Sequence, residues 1–224
     1  MSEQTQGNTL QDVLKYEDEN RRSREVVTVL SGQDLDLAAV VGKITKSTPT
    51  TGTADAGNSG GGIVTAVTAG QDAKLGTYTI TATVQEVESP AVAAVFTVVG
   101  PEGDALPDAT IGAYTNAQIN FTITDGSPVI AVGDIWTIAV AAGSGKVKAI
   151  NFDAVDGSQN AHGFLIAAYD ASGGDVEGVA IVRDAVIVAT DLVWPTTSPA
   201  VTDDQKAAAL AELAAKGIVE REEV

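Results

Sequence analysis

The stretch "GTYTITATV", residues 76–84, sets threonine at 77, 79, 81 and 83 and puts Tyr, Ile, Ala and Val at 78, 80, 82 and 84. Alternation of this kind is the period-two signature of a strand with one face in a core and the other in water. Related runs surround it: "GIVTAVTAG" (62–70), "AAVFTVVGPEG" (93–103), "INFTITDGS" (119–127) and "GDIWTIAVAA" (133–142). Gly100-Pro101 and Asp125-Gly126 supply turn residues between them. Residues 62–142 therefore hold about five strands, enough for an antiparallel β module with a core of its own.

Before this module the chain reads differently. "VVTVLSG" (26–32) is a β-branched strand closed by Gly32, and "AAVVGKIT" (38–45) is a second strand broken at Gly42. "KSTPTTGTADAGNSGGG" (46–62) has no periodicity and reads as a linker or long loop. After residue 142 come four more strand candidates: "GKVKAINF" (145–152), "AHGFLIAAYD" (161–170), "VEGVAIVRDAVIVA" (176–189) and "DLVW" (191–194). "DDQKAAALAELAAKGI" (203–218) is a helix capped by Thr202 or Asp203 and stopped by Gly217, with Ala207, Leu210, Leu213 and Ala214 on one face. Two organisations fit: a base domain interrupted by an inserted β module, or two domains in sequence.

Residues 1–25 are polar and aperiodic, and residues 16–25 carry seven charged side chains. Val13 and Tyr16 could anchor a helix, but two anchors make no stable face, so an arm without a fold of its own is expected here. Nothing in it resembles a signal-peptide core or a membrane span.

Thirty acids against thirteen bases give a net charge of −17, with no basic portion. Direct nucleic-acid binding needs clustered Lys and Arg, so it is not expected. Residues 49–142 carry nine acids and one base, Lys74. The absence of cysteine excludes disulfides and thiolate chemistry.

No catalytic signature emerges. His162 is the single histidine, with Ser158 and Asp156 or Asp170 as conceivable partners but no nucleophile elbow. Asp153, Asp156 and Asp175, or Asp104 and Asp108, lack calcium-loop spacing, and solvated loops explain them better. "NSGGGIV" and "AAGSGKV" lack the phosphate-loop pattern. No metal or other cofactor is expected. "WPTTSP" (194–199) is a stiff connector, whose Trp194 belongs either to the core or to an interface. Binding or structure becomes the default over enzymatic activity.

Several pieces in order resemble the bacteriophage head decoration proteins of the lambda type. They are "YEDENRRSREVVTVLSGQDL" (16–35), "VVGKIT" (40–45), "GSGKVKAI" (143–150), "DGSQNAHGFLIAAYDASGGDVEGVAIVRDAVIV" (156–188), "LVW" (192–194) and the Ala-rich helix. "FTVVGPEG" (96–103), "ATIGAYTNAQINFTITDG" (109–126) and "VGDIWTIAVAAGSGK" (132–146) are similar to insertions of longer members. Short members lack residues corresponding to about 49–142, so no role for that module carries over.

The resemblance implies a mainly β fold: a small β-barrel-like base domain (26–48 and 143–224) with a C-terminal helix, an antiparallel β insert (49–142) and a flexible N-terminal arm (1–25). It implies a homotrimer on the outer surface of the virion, made in the host cytoplasm. That trimer would cap three-fold positions of the expanded head and bind the major capsid protein, with no nucleic-acid or membrane partner. The arm would contact the capsid through Glu17, Glu19, Arg21, Arg22 and Arg24 and join the body at Val26 and Val27. Trp194 is a candidate for the trimer interface. The alternative is a virion-surface binding module carried by the insert, adhesin-like toward host surfaces or glycans, although Tyr78, Tyr114 and Trp136 are its whole supply of Tyr and Trp.

Overall fold

In the computed structural model, residues 9–85, 87–88, 91–196 and 200–221 are described. Pro199 and the first eight residues of the expected arm lie outside that set. The chain divides into two compact units, Met1–Thr45 with Ser144–Val224 (the base) and Lys46–Gly143 (the insert).

The base begins with a single helical turn, α1 (Leu10–Val13), then β1 (Leu14–Glu17), β2 (Arg24–Val29), β3 (Asp34–Leu35) and β4 (Val40–Lys43). Within the insert follow β5 (Thr53–Ala54), β6 (Ile63–Ala69), β7 (Gly76–Val84), β8 (Val87–Glu88), β9 (Ala91–Val92), β10 (Val95–Val99), β11 (Ala105–Thr110), β12 (Gly112–Tyr114), β13 (Ile119–Thr124) and β14 (Ile135–Val140). The base resumes with β15 (Val147–Ala149), β16 (Ala161–Leu165), β17 (Tyr169–Asp170), β18 (Val176–Ile181), β19 (Ala185–Ile187), α2 (Asp203–Ala214) and β20 (Ile218–Glu220).

The insert is a sandwich of two antiparallel sheets, β11-β10-β7-β14-β5 and β12-β13-β6. Alternation along β7 works as the threonines foretell: Tyr78 and Ile80 are fully buried and Ala82 is 1% exposed. They meet Phe96 and Val98 of β10, Phe121 and Ile123 of β13, and Trp136 and Ile138 of β14 in one core. The polar ends of the buried rings are satisfied, as burial requires. The Trp136 indole donates to Gly62 O at 3.1 Å, and the Tyr78 hydroxyl accepts from Lys74 N and donates to Gln118 Oε1. Along β6 the expected period slips. Val64 and Val67 both point inward because Ala66, at φ +49°, sits in a bulge where two residues of β6, Ala66 and Val67, stand opposite the single Phe121 of β13.

Residues 46–62 are not a free linker. Asn58 exchanges two hydrogen bonds with the backbone of Ile135, at 2.7 and 2.8 Å, as a strand neighbour would. Ser59 N and Gly60 N donate to the buried Asp134 carboxylate. The glycines are there because backbone passes backbone: a Cβ on Gly61 would lie 2.8 Å from Ser127 O, and one on Gly126 2.1 Å from Gly61 O.

In the base, β15, β2, β18, β16 and β4 close a five-stranded barrel. Its interior takes Val27, Val29, Val41, Val147, Leu165 and Ala180. The neighbouring residues Val40, Phe164 and Ile181 turn the other way, into a second core with α2 and the sheet β1-β19-β20. Those strands are covered on both faces, which is why they read as continuous apolar runs. Gly42 does not break β4, which runs through it; a Cβ there would lie 2.1 Å from Ser158 O, so glycine admits the 156–160 loop against the strand. "VEGVAIVRDAVIVA" is two strands, parted at Asp184 with φ +46°.

In α2, Thr202 is the N-cap and forms a capping box with Gln205. The inward face is Ala209 and Leu213, one turn apart, while Ala207 and Ala214 are exposed, so the expected face is corrected by a rotation of the helix. Gly217, at φ +80°, ends the helix and the chain continues into β20.

The largest correction concerns residues 9–25, which fold into the base. Val13 and Leu14 pack into its second core, Val13 with no exposed surface. β1 pairs with β19 from Leu14↔Ile187 to Glu17↔Ala185. Two adjacent apolar residues, Val13 and Leu14, together with the pairing of β1 to β19, supply the anchor that Val13 and Tyr16 on a helix could not, and Tyr16 is instead 57% exposed.

At the junction, Gly145 N donates to Ile44 O and Ile44 N to Lys146 O, each at 2.9 Å, so the ends of the base segments already meet. In the insert, Lys46 bridges Ala142 and Ser47 N donates to Ala141 O. Excising 46–143 and joining Thr45 to Ser144 through two glycines is expected to leave a base unit that unfolds cooperatively, within about 2 kcal/mol of its stability in the full chain. Urea unfolding followed by circular dichroism measures this, and a chain that fails to fold would contradict it.

Candidate functional site

The segment expected to carry function, Glu17 to Val27, is an open hairpin: β1 and β2 belong to different sheets and form no ladder with each other, and the bend between them is a 3₁₀ turn, Glu19–Arg21. Asn20 and Arg21 both adopt positive φ, 59° and 60°. Buried Ser23 pins the bend: its Oγ accepts from Asp18 N at 2.9 Å and donates to Asp184 O at 2.6 Å. Arg24 grips Glu17 through two hydrogen bonds of 2.7 Å, a bidentate pair between β1 and β2. Arg22 reaches Asp18 at 3.5 Å and Asp184 at 3.9 Å.

The structure thus sorts the expected arm residues into two groups. Glu17 and Arg24 bind each other, and Val27 lies inside the barrel. Glu19, Arg21, Arg22 and Val26 are exposed, Val26 by 63%. What sequence reasoning missed is Ser23, a small polar residue in a charged run just before a β-branched strand.

Beside the hairpin lies a charged cluster. Glu25 accepts from Lys43 at 3.3 Å and Arg183 at 2.9 Å, and lies 3.9 Å from His162 Nε2. Burial works against the Glu25 carboxylate, but Lys43, His162 and Arg183 outweigh it and lower its pKa. Lys216 donates to the carbonyls of Ala161 and His162. His162 Nε2 is buried without a hydrogen-bond partner. Burial first, then the positive charge of Lys43 and Lys216 against the opposing pull of Glu25, holds its pKa down at about 4.

The folded protein therefore keeps His162 neutral where the unfolded chain, titrating near 6.5, takes up a proton. Its contribution to stability is complete above pH 6.5, declines as pH falls toward 4 and is lost below that. Between pH 7.5 and pH 5 this amounts to about 2 kcal/mol. The stability difference between His162→Gln and the unaltered protein should shift by that amount in the variant's favour across the interval, measured by urea unfolding at both pH values. An unchanged difference would contradict the assignment.

The residues that could have formed a hydrolytic set are committed elsewhere. Ser158 Oγ donates to Asp156 Oδ1 at 2.6 Å, and Asp156 Oδ2 receives Lys148 at 2.9 Å. Asp175 binds Lys146 and Ser31 N. In the insert, Asp104 is held by Gln118 and Lys74. Tyr78, Tyr114 and Trp136 are at most 7% exposed, so they form no aromatic platform for a sugar. Trp194 is half-buried: it packs against the base core and lines a cleft of about 310 Å3. The carboxylates of this set are engaged in structural pairs within the fold.

Comparison with known proteins agrees with that direction. No curated protein matches the chain. Two crystal structures of Xanthomonas campestris FlgL, in space groups H3 and C2, are 19% identical to it over 48% of its length, each with a TM-score of 0.31. The chain covers only 34% and 33% of those structures, and a likeness that slight assigns no fold. The family model for bacteriophage lambda head decoration protein D, by contrast, matches residues 3–218, taking in both base segments and the insert. With the barrel and the helix in place, that match over nearly the whole chain settles its kinship: the chain belongs to the bacteriophage lambda head decoration protein D family, whose members are structural proteins of the phage capsid.

Proposed function

We propose that the chain cements an expanded phage head: it joins the outer surface as a homotrimer at three-fold positions, contacts the major capsid protein and stabilises the shell against the pressure of packaged DNA. The observation that carries this reading is the family match across residues 3–218. The exposed bend of the hairpin, with Glu19, Arg21 and Arg22, and the exposed Val26 are the capsid-facing groups in this reading. Glu17, Arg24 and Val27 act from inside, by holding the hairpin in shape. Three hairpins on one trimer would bind together, so weak single contacts gain effective concentration once the first has formed. A net charge of −17 suits a protein that stays soluble until it meets its lattice.

The test mixes purified protein with undecorated expanded capsids and follows co-sedimentation and capsid survival on heating, with the mass of the free protein determined by sedimentation. Saturable binding in multiples of three, with protection of the shell, is the expected result. Absence of binding to any matching capsid would overturn the reading.

A further inference from the structure

One groove of the base unit is unused by the hairpin. Two clefts, of about 470 and 310 Å3, share Gln33, Ala149 and Pro195 in their walls and so lie side by side. Phe152 and the half-buried Trp194, with the edge of Leu35, contribute the apolar part of a mixed lining. Asp34, Asp36 and Asp153 are exposed along it, and among the described residues their carboxylates form no hydrogen bond or ion pair. The cation of the lining, Lys148, is already held by Asp156 at 2.9 Å. β3, which forms one wall, pairs with β17 and carries no strand on its other edge among the described residues.

We propose that this groove seats an extended, positively charged segment of the capsid protein, with Arg or Lys alternating with apolar side chains. The inference rests on the capsid-cementing reading and names a second contact, separate from the hairpin. Alternation is what a strand laid along β3 presents: one set of side chains enters the apolar lining and the other reaches the carboxylates. A guanidinium over the indole of Trp194 adds a cation–π contact. Unpaired carboxylates beside apolar surface disfavour an acidic occupant, and a second copy of this chain brings a net charge of −17.

The test uses the full chain and the triple variant Asp34→Asn, Asp36→Asn, Asp153→Asn, whose exposed positions leave folding intact. Binding to expanded capsids at low salt is expected to weaken about tenfold, with a shallower salt dependence, while sedimentation velocity gives an unchanged oligomeric state. Equal binding overturns the proposal. An altered oligomeric state overturns it too, since the groove would then lie between copies. Should the unaltered protein fail to bind capsids, the cementing reading falls, and the groove is read separately with an alternating Arg–Val hexapeptide. Because Trp136 is 1% exposed, the emission change reports Trp194. A saturable change in the unaltered protein, absent from the triple variant and from a Glu–Val control, supports the groove, and no change overturns it.

Discussion

A chain that begins at Val26 should fail to form the base unit, while one that begins at Thr9 should form it. Starting at Val26 removes Val13 and Leu14 from the second core, where Val13 has no exposed surface. It strips β1 from β19, deletes the buried Ser23 that ties the bend to Asp184, and removes Arg24 and Glu25, which pair with Ile181 and Ala180 in the barrel wall. Losing one buried aliphatic side chain costs about 1.5–3 kcal/mol, and the sum with the hydrogen bonds and strand pairing approaches the whole stability of a small domain. Circular dichroism melting should show the base transition absent, or lowered by about 15 °C or more, in the shorter chain. A chain starting at Val26 that melts like the full protein would refute this account of residues 9–25. The consequence for function is direct. Loss of capsid binding after this truncation would report unfolding, so the hairpin's part in binding has to be tested by surface changes such as Arg21→Glu with Arg22→Glu.

Of the insert strands that could be read from sequence, β7, β10, β13 and β14 have a neighbour on both sides, and only β6 lies at an edge. β7 lies at the centre of its sheet between β10 and β14, and its threonines keep one face outward without interruption. β11 and β12 escaped the same reading because they lie at sheet edges: β11 contains Pro107, which has no N–H to give a ladder, and the charged Asp108, choices that an edge tolerates and a central strand does not. The glycines at 60–62 read as linker because glycine marks both loose chain and tight passage, and distances such as those between Gly61 and Ser127 exist only after folding. For the hairpin, charge density concealed the anchors. Its arginines and acids largely satisfy one another, as Arg24 with Glu17 and Arg22 with Asp18, so a run that looks built for a partner is in part built for itself. The groove was invisible for a related reason: Gln33, Ala149 and Trp194 are far apart in the chain and meet only in the folded base.

Asp134→Ala should be the most damaging single change in the insert. Its carboxylate is 3% exposed, yet it accepts from Ser59 N at 2.8 Å and from Gly60 N and Ala131 N at 2.9 Å each. Burial by itself raises the pKa of such a group; here the three backbone donors and the Ser59 hydroxyl outweigh it and lower the pKa below the usual aspartate value of 3.8. The carboxylate therefore stays charged at neutral pH, and the stability it contributes is present above the unfolded pKa and lost as pH falls through the lower folded one. Alanine leaves three donors without an acceptor and frees the strap 58–62 from β14, at a cost on the order of 4 kcal/mol. Asparagine should cost about half as much, because one of its two faces still accepts while the other turns an amide toward a donor. The insert and the base have separate cores, so a melt should show the insert transition falling steeply in the alanine variant while the base transition holds its temperature. A small shift would mean that water replaces the carboxylate, and a shift of both transitions would mean that the two units unfold as one.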